Sequence, residues 1–128
     1  FRRYAVRAGE IQALVHPGPE FHSVRDIGKG GLAIAYTPVP GKTLQSRAVD
    51  LVSQVGDPLV LMGLACRTVY DIETLAEGAS FRGRPRRLRG LRFLALTPAQ
   101  EAQLDTLISR CLHRPTGGGG GRDDIPDA

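Results

Sequence analysis

The stretch Asp26-Ile27-Gly28-Lys29-Gly30-Gly31 constrains the fold more than any other part of the chain. It separates two apolar runs, Phe21-His22-Ser23-Val24 before it and Leu32-Ala33-Ile34-Ala35-Tyr36 after it. Three glycines in four positions free the backbone for positive φ, and without a Cβ another molecule can approach closely. Successive N–H groups in such a turn can form an anion-binding concavity, with Asp26 as an acceptor at its edge. A tight hairpin is the plainer reading. Arg3 and Arg7, near the start of the chain, add cations. Together the two features point to a small receptor for a phosphorylated ligand.

The rest of the chain reads mostly as short strands. Ile11–Val15 is the first, closed by His16-Pro17-Gly18-Pro19, and Phe21–Asp26 is the second. Leu32, Ile34 and Tyr36 alternate with Ala33 and Ala35, the period of two of a strand with one buried face. Ala48–Val55 presents Val49, Leu51 and Val55 on one side, and Leu59–Tyr70 is long and rich in Leu and Val. Glu73–Pro85 reads as a polar loop, and Leu88–Leu96 as a final strand. One helix is expected from Pro98 to about Leu112. Thr97 and Gln100 fit a capping box, and Leu104, Leu107, Ile108 and Cys111 follow helical spacing. Arg110, His113 and Arg114 suit its negative end. Strands this short need closure to hide their edges, so the expected fold is mainly β: a small six-stranded antiparallel β-barrel with one C-terminal α-helix. The expected organisation is a basic lead-in at 1–9, a barrel plus helix at 10–114, and a flexible glycine-rich tail at 115–128.

At 128 residues the chain fits one domain. No apolar run approaches the ~20 residues that cross a bilayer, so no membrane insertion is expected. The start at Phe1 rather than Met fits a trimmed piece of a longer protein. Cys66 and Cys111 sit in apolar segments with no Cys-x-x-Cys pairing, so they read as core side chains of a reducing compartment and no metal site is expected. His16, His22 and His113 lack ligand spacing. Net charge is +4, and all cations except Lys29 and Lys42 are Arg, the side chain that grips phosphate or a guanine edge with two parallel bonds.

Arg3-Tyr4-Ala5-Val6-Arg7, followed about twenty residues on by the glycine turn, resembles the PilZ domain of bacterial cyclic di-GMP receptors. That family pairs an Arg-x-x-x-Arg motif with an Asp/Asn-x-Ser-x-x-Gly motif on a six-stranded barrel. Leu88-Arg89-Gly90-Leu91-Arg92-Phe93 and the helix after it also look like the family's end, and the resemblance spans roughly residues 2 to 112. It implies that Arg3 and Arg7 are the arginines of the first motif, that Asp26 and Gly31 open and close the second, and that Arg2 assists. Gly28 stands where the family usually has serine. The implied ligand is cyclic di-GMP, with no further cofactor. Arginine would meet phosphate or guanine, Asp26 would accept from guanine N–H groups, and Gly31 would admit the backbone. A mobile lead-in would fold over the ligand.

The implied role is a cytoplasmic receptor domain that signals to a downstream protein or fused domain. One alternative is a PilZ-like interaction module that has lost the ligand. Another is a nucleic-acid-binding barrel using Arg82, Arg84, Arg86, Arg87, Arg89 and Arg92, but aromatic residues are only 5% of the chain and that run reads as a solvated loop and strand face. No DNA or RNA partner is expected. With no nucleophile–base constellation, metal spacing or paired carboxylates, neither is an enzyme.

Overall fold

The computed structural model describes residues 2–54, 56–74 and 86–112. Seven strands precede one helix: β1 (Arg3–Ala5), β2 (Ile11–His16), β3 (Phe21–Gly28), β4 (Gly31–Tyr36), β5 (Ala48–Ser53), β6 (Leu59–Thr74), β7 (Arg86–Phe93) and α1 (Pro98–Leu112). All pairings are antiparallel. β2 lies beside β5, then β6, β7, β4 and β3 follow, and β3 returns to β2, so six strands close a ring. Closure leaves short strands few unpaired backbone groups, which is why the expected barrel forms.

Alternation sets what the ring encloses. Ile11, Ala13 and Val15 of β2 point into a core shared with Val24, Ile27, Leu32, Ile34, Leu51, Leu61, Leu64 and Leu91. Leu104, Leu107, Ile108 and Cys111 of α1 join the same cluster, so the helix covers one side of the barrel. Its capping box forms as expected: the Gln100 N–H donates to Thr97 Oγ1 at 3.1 Å, and the Thr97 N–H donates to Gln100 Oε1 at 2.9 Å. The Gln100 amide also donates to the carbonyls of Met62 and Gly63, tying the helix start to β6. Both cysteines are buried and free, and burial pushes the Cys66 thiol up to about 11. Native protein should therefore leave Cys66 unmodified by iodoacetamide at neutral pH, and peptide mapping checks this.

Several expectations need correction. The basic lead-in is not loose: Arg3–Ala5 is a strand laid along Asp26–Gly28, and the Val6 N–H donates to the Arg25 carbonyl at 2.9 Å. Gly28, Gly30 and Gly31 do not take positive φ; Gly9, Gly41, Gly56 and Gly63 do. β6 runs on to Thr74, past the expected start of the polar loop. Val55, residues 75–85, the Leu112 side chain, His113, Arg114 and the 115–128 tail lie outside the described residues.

The basic run near β7 is also divided rather than uniformly solvated. Arg87 and Arg89 meet Asp71 at the end of the barrel away from Gly31, while Arg92 is exposed and Arg82 and Arg84 lie outside the described residues. Arg87 Nε donates to Asp71 Oδ1 at 2.5 Å, and Arg89 Nε and the Tyr36 hydroxyl donate to Oδ2 at 2.7 and 2.5 Å. Arg89, only 8% exposed, also donates to Ser46 Oγ and the Leu44 carbonyl. Burial pushes the Asp71 carboxyl up, but the bonds from Tyr36, Arg87 and Arg89 outweigh it and hold it below its usual range. Burial, and then the bond to Asp71, raises the Tyr36 phenol.

His22 stands edge-on to Tyr36 with ring centroids 5.9 Å apart, and burial lowers it from 6.5. Below that value the unfolded chain takes up a proton that the folded chain resists, so this stability is present above pH 6.5 and is lost as pH falls. Urea midpoints should therefore drop between about pH 7 and about pH 5.5, and His22→Phe should flatten the drop. An unchanged slope in the variant would remove His22 as its source.

Candidate functional site at the β1–β3 edge

β1 pairs with β3 in the register Arg3 to Gly28, Tyr4 to Ile27 and Ala5 to Asp26. This register brings the two sequence motifs into contact across 23 residues: Arg3 Nη1 donates to Asp26 Oδ1. Both side chains are about one-third exposed, 35% and 33%, so the pair sits at the surface. Arg2 precedes the strand and lies 5.8 Å from the Tyr4 ring centroid. Arg7 follows the strand, where a tight turn begins; its N–H donates to Glu10 Oε1 at 3.3 Å and the Glu10 N–H donates back to its carbonyl at 3.1 Å. Arg3, Asp26 and Gly28 therefore meet, with the Arg2 backbone against Gly28 while its side chain reaches over Tyr4, and Arg7 lies beyond the strand in the turn before β2.

The two motif glycines are needed for close approach, each to a different strand. A Cβ on Gly28 would lie 2.2 Å from the Arg2 carbonyl oxygen, so the space of the family's serine is taken by the backbone entering β1. A Cβ on Gly31 would lie 2.0 Å from the Leu91 carbonyl oxygen, because Gly31 pairs with Arg92 where β4 meets β7. Gly31 thus serves barrel closure. Lys29 between them is 3.4 Å from Asp105 of α1, an exposed link worth well under about 1 kcal/mol.

Sequence reading missed the cross-strand row beside this pair. The row Ala5, Asp26, Ala33, Gly90, Tyr70 crosses β1, β3, β4, β7 and β6 in register. Residues directly opposite share a face. Ala33 and Gly90 are small and buried, and the Tyr70 ring fills the space of the missing Gly90 Cβ. The row runs from Asp26, paired with Arg3, to the Tyr70 ring, with Ala33 and Gly90 buried between them. The alternation of Leu91 and Phe93 against Gly90 and Arg92 was legible, but no local signal pairs Gly90 with Tyr70.

Gly28→Ser is expected to displace β1 rather than distort the barrel, since three residues paired along one strand yield before β3 does. The check is amide exchange. Arg3–Ala5 should lose protection while β4 and β7 keep theirs, and unchanged protection of Arg3–Ala5 would contradict the reading.

Among the described residues no three or more His, Cys, Asp or Glu side chains group as a metal site, and no helix is long and apolar enough to cross a membrane. No family model matches the sequence, and no curated protein matches it. Solved structures do match in shape. Apo MrkH from K. pneumonia superposes with a TM-score of 0.62 at 10% identity over 87% of this chain and 48% of its own. The K. pneumonia MrkH–c-di-GMP complex gives 0.60 at 13% identity, over 84% and 49%. A further MrkH structure, of a c-di-GMP-dependent transcription regulatory factor, gives 0.59 at 12% identity, over 84% and 48%. The chain therefore spans about half the length of these proteins. Closed six-stranded barrel, covering helix and structural likeness agree: this chain has the PilZ-like fold that its motifs resemble.

Proposed function

We propose that the chain is a cyclic di-GMP receptor domain. The contact of Arg3 with Asp26 carries the reading, because it joins the two motifs at one edge of the barrel. Cyclic di-GMP presents two phosphates and two guanines, so a receptor needs guanidinium forks and an acceptor for guanine N–H groups. Arg2, Arg3 and Arg7 supply the forks and Asp26 the acceptor. The MrkH complex with c-di-GMP supports the choice of ligand at the level of fold.

The ligand-free site is closed on itself, since Arg3 and Asp26 satisfy each other. Opening it costs little: a pair exposed to this degree contributes about 0–1 kcal/mol. Each charge-assisted bond to the ligand returns about 1.5–3 kcal/mol, so ligand wins the competition. Gly31 contributes through the shape of the turn. Binding would re-order the Arg2–Arg7 segment and alter a surface read by a downstream protein or fused domain in the cytoplasm. The chain acts as a receptor rather than an enzyme.

Calorimetric titration with cyclic di-GMP tests this: saturable binding is expected, with protection of Arg2–Arg7 from trypsin at saturation. No heat and no amide shift at high ligand would sink it.

One observation favours a second reading, an interaction module without ligand. The Arg2 carbonyl occupies the space of the family's serine, and Arg3 is already paired. Normal stability with no nucleotide binding would select it.

A further inference from the structure

Groups at the far end of the barrel line a half-open cavity of about 510 Å³, walled by the β2–β3 turn, the β4–β5 connection and the ends of β6 and β7. It lies a strand's length from Gly31, roughly 17 Å along β4. We infer that this cavity is a second binding site, for a small organic carboxylate with an apolar body, independent of the β1–β3 edge.

Three observations converge on that chemistry. The volume falls within the roughly 300–1,000 Å³ of small-molecule sites. The floor is built and rigid: Asp71 is held by Arg87, Arg89 and Tyr36, and Arg89 is anchored again on Ser46 and the Leu44 carbonyl. Lys42 on the wall has no ion pair or side-chain hydrogen bond to any described residue, and burial favours neutral His22.

Charge decides the sign of the ligand. Arg87, Arg89 and Lys42 face Asp71 and Glu20, so the lining carries one net positive charge. Asp71 already absorbs bonds from both arginines, which leaves Lys42 as the uncommitted cation for an incoming carboxylate. Pro19, Pro38, Val39 and Leu44 offer the apolar wall for its body.

The test is an amide-shift titration of the isotope-labelled chain with phenylacetate and with octanoate, and phenylacetamide serves as the uncharged control. Saturable shifts are expected at His22, Tyr36, Leu44 and Arg89, with the amides of Arg3–Ala5 unmoved. Lys42→Ala, an exposed position that leaves the fold intact, should weaken carboxylate binding about tenfold. Phenylacetamide should bind more weakly than phenylacetate to the parent chain and equally to the variant. The inference is overturned if neither carboxylate gives saturable shifts at the cavity, if phenylacetamide binds as well as phenylacetate, or if Lys42→Ala changes nothing. Loss of cyclic di-GMP binding would leave it standing, because the two sites share no residue.

Discussion

Gly31→Ala is expected to destabilise the barrel by about 3 kcal/mol or more, and to lower its thermal midpoint by about 10 °C or more. The added methyl would sit 2.0 Å from the Leu91 carbonyl oxygen and 3.1 Å from the Arg92 Cα. Both obstacles are backbone, and β7 is paired on both edges, to β4 and to β6. No rotamer change relieves the clash, so β4 must separate from β7 at the turn. The contrast with Gly28 is instructive: there the obstacle belongs to a three-residue strand that can leave. A thermal melt of Gly31→Ala within about 3 °C of the parent would show that β7 gives way more easily than its pairing suggests.

Asp26→Ala and Arg3→Ala should each weaken cyclic di-GMP binding by about 10- to 100-fold, the equivalent of one lost charge-assisted bond of about 1.5–3 kcal/mol. Neither should alter the stability of the ligand-free chain by more than about 1 kcal/mol, because their mutual ion pair is one-third exposed. This separation of binding from stability distinguishes a ligand site from a structural pair. The double variant adds a second readout. If Arg3 and Asp26 meet different parts of the ligand, their losses in binding add; if they act only by holding β1 in place, the double variant binds no worse than either single one. Undiminished affinity in both single variants would refute the proposed site, leaving the interaction-module reading.

Much of this protein follows from local signals. Ile11–Val15 alternates because one face of its strand is buried, and a period of two is visible in any window. Leu32–Tyr36 shows the same period, but the expectation of a single buried face needs correction, since every residue of β4 is buried and both its faces are covered. Thr97 and Gln100 announce the start of the helix because a capping box is a contact across three residues, and both its bonds form. Short strands without covered edges call for a ring, and six of them close one. What sequence could not decide were questions of register and direction. Arg3 reaches Asp26 only because β1 pairs at one offset, and a slip of one residue would turn it to the other face. Gly28 and Gly31 look alike in the chain, yet one makes room for Arg2 and the other for Leu91, since the obstacle comes from a distant strand. Arg89 and Arg92 belong to one basic run, but alternation buries the first against Asp71 and exposes the second. Local patterning thus determined which segments become strands and helix, and long-range pairing decided which of their charges meet.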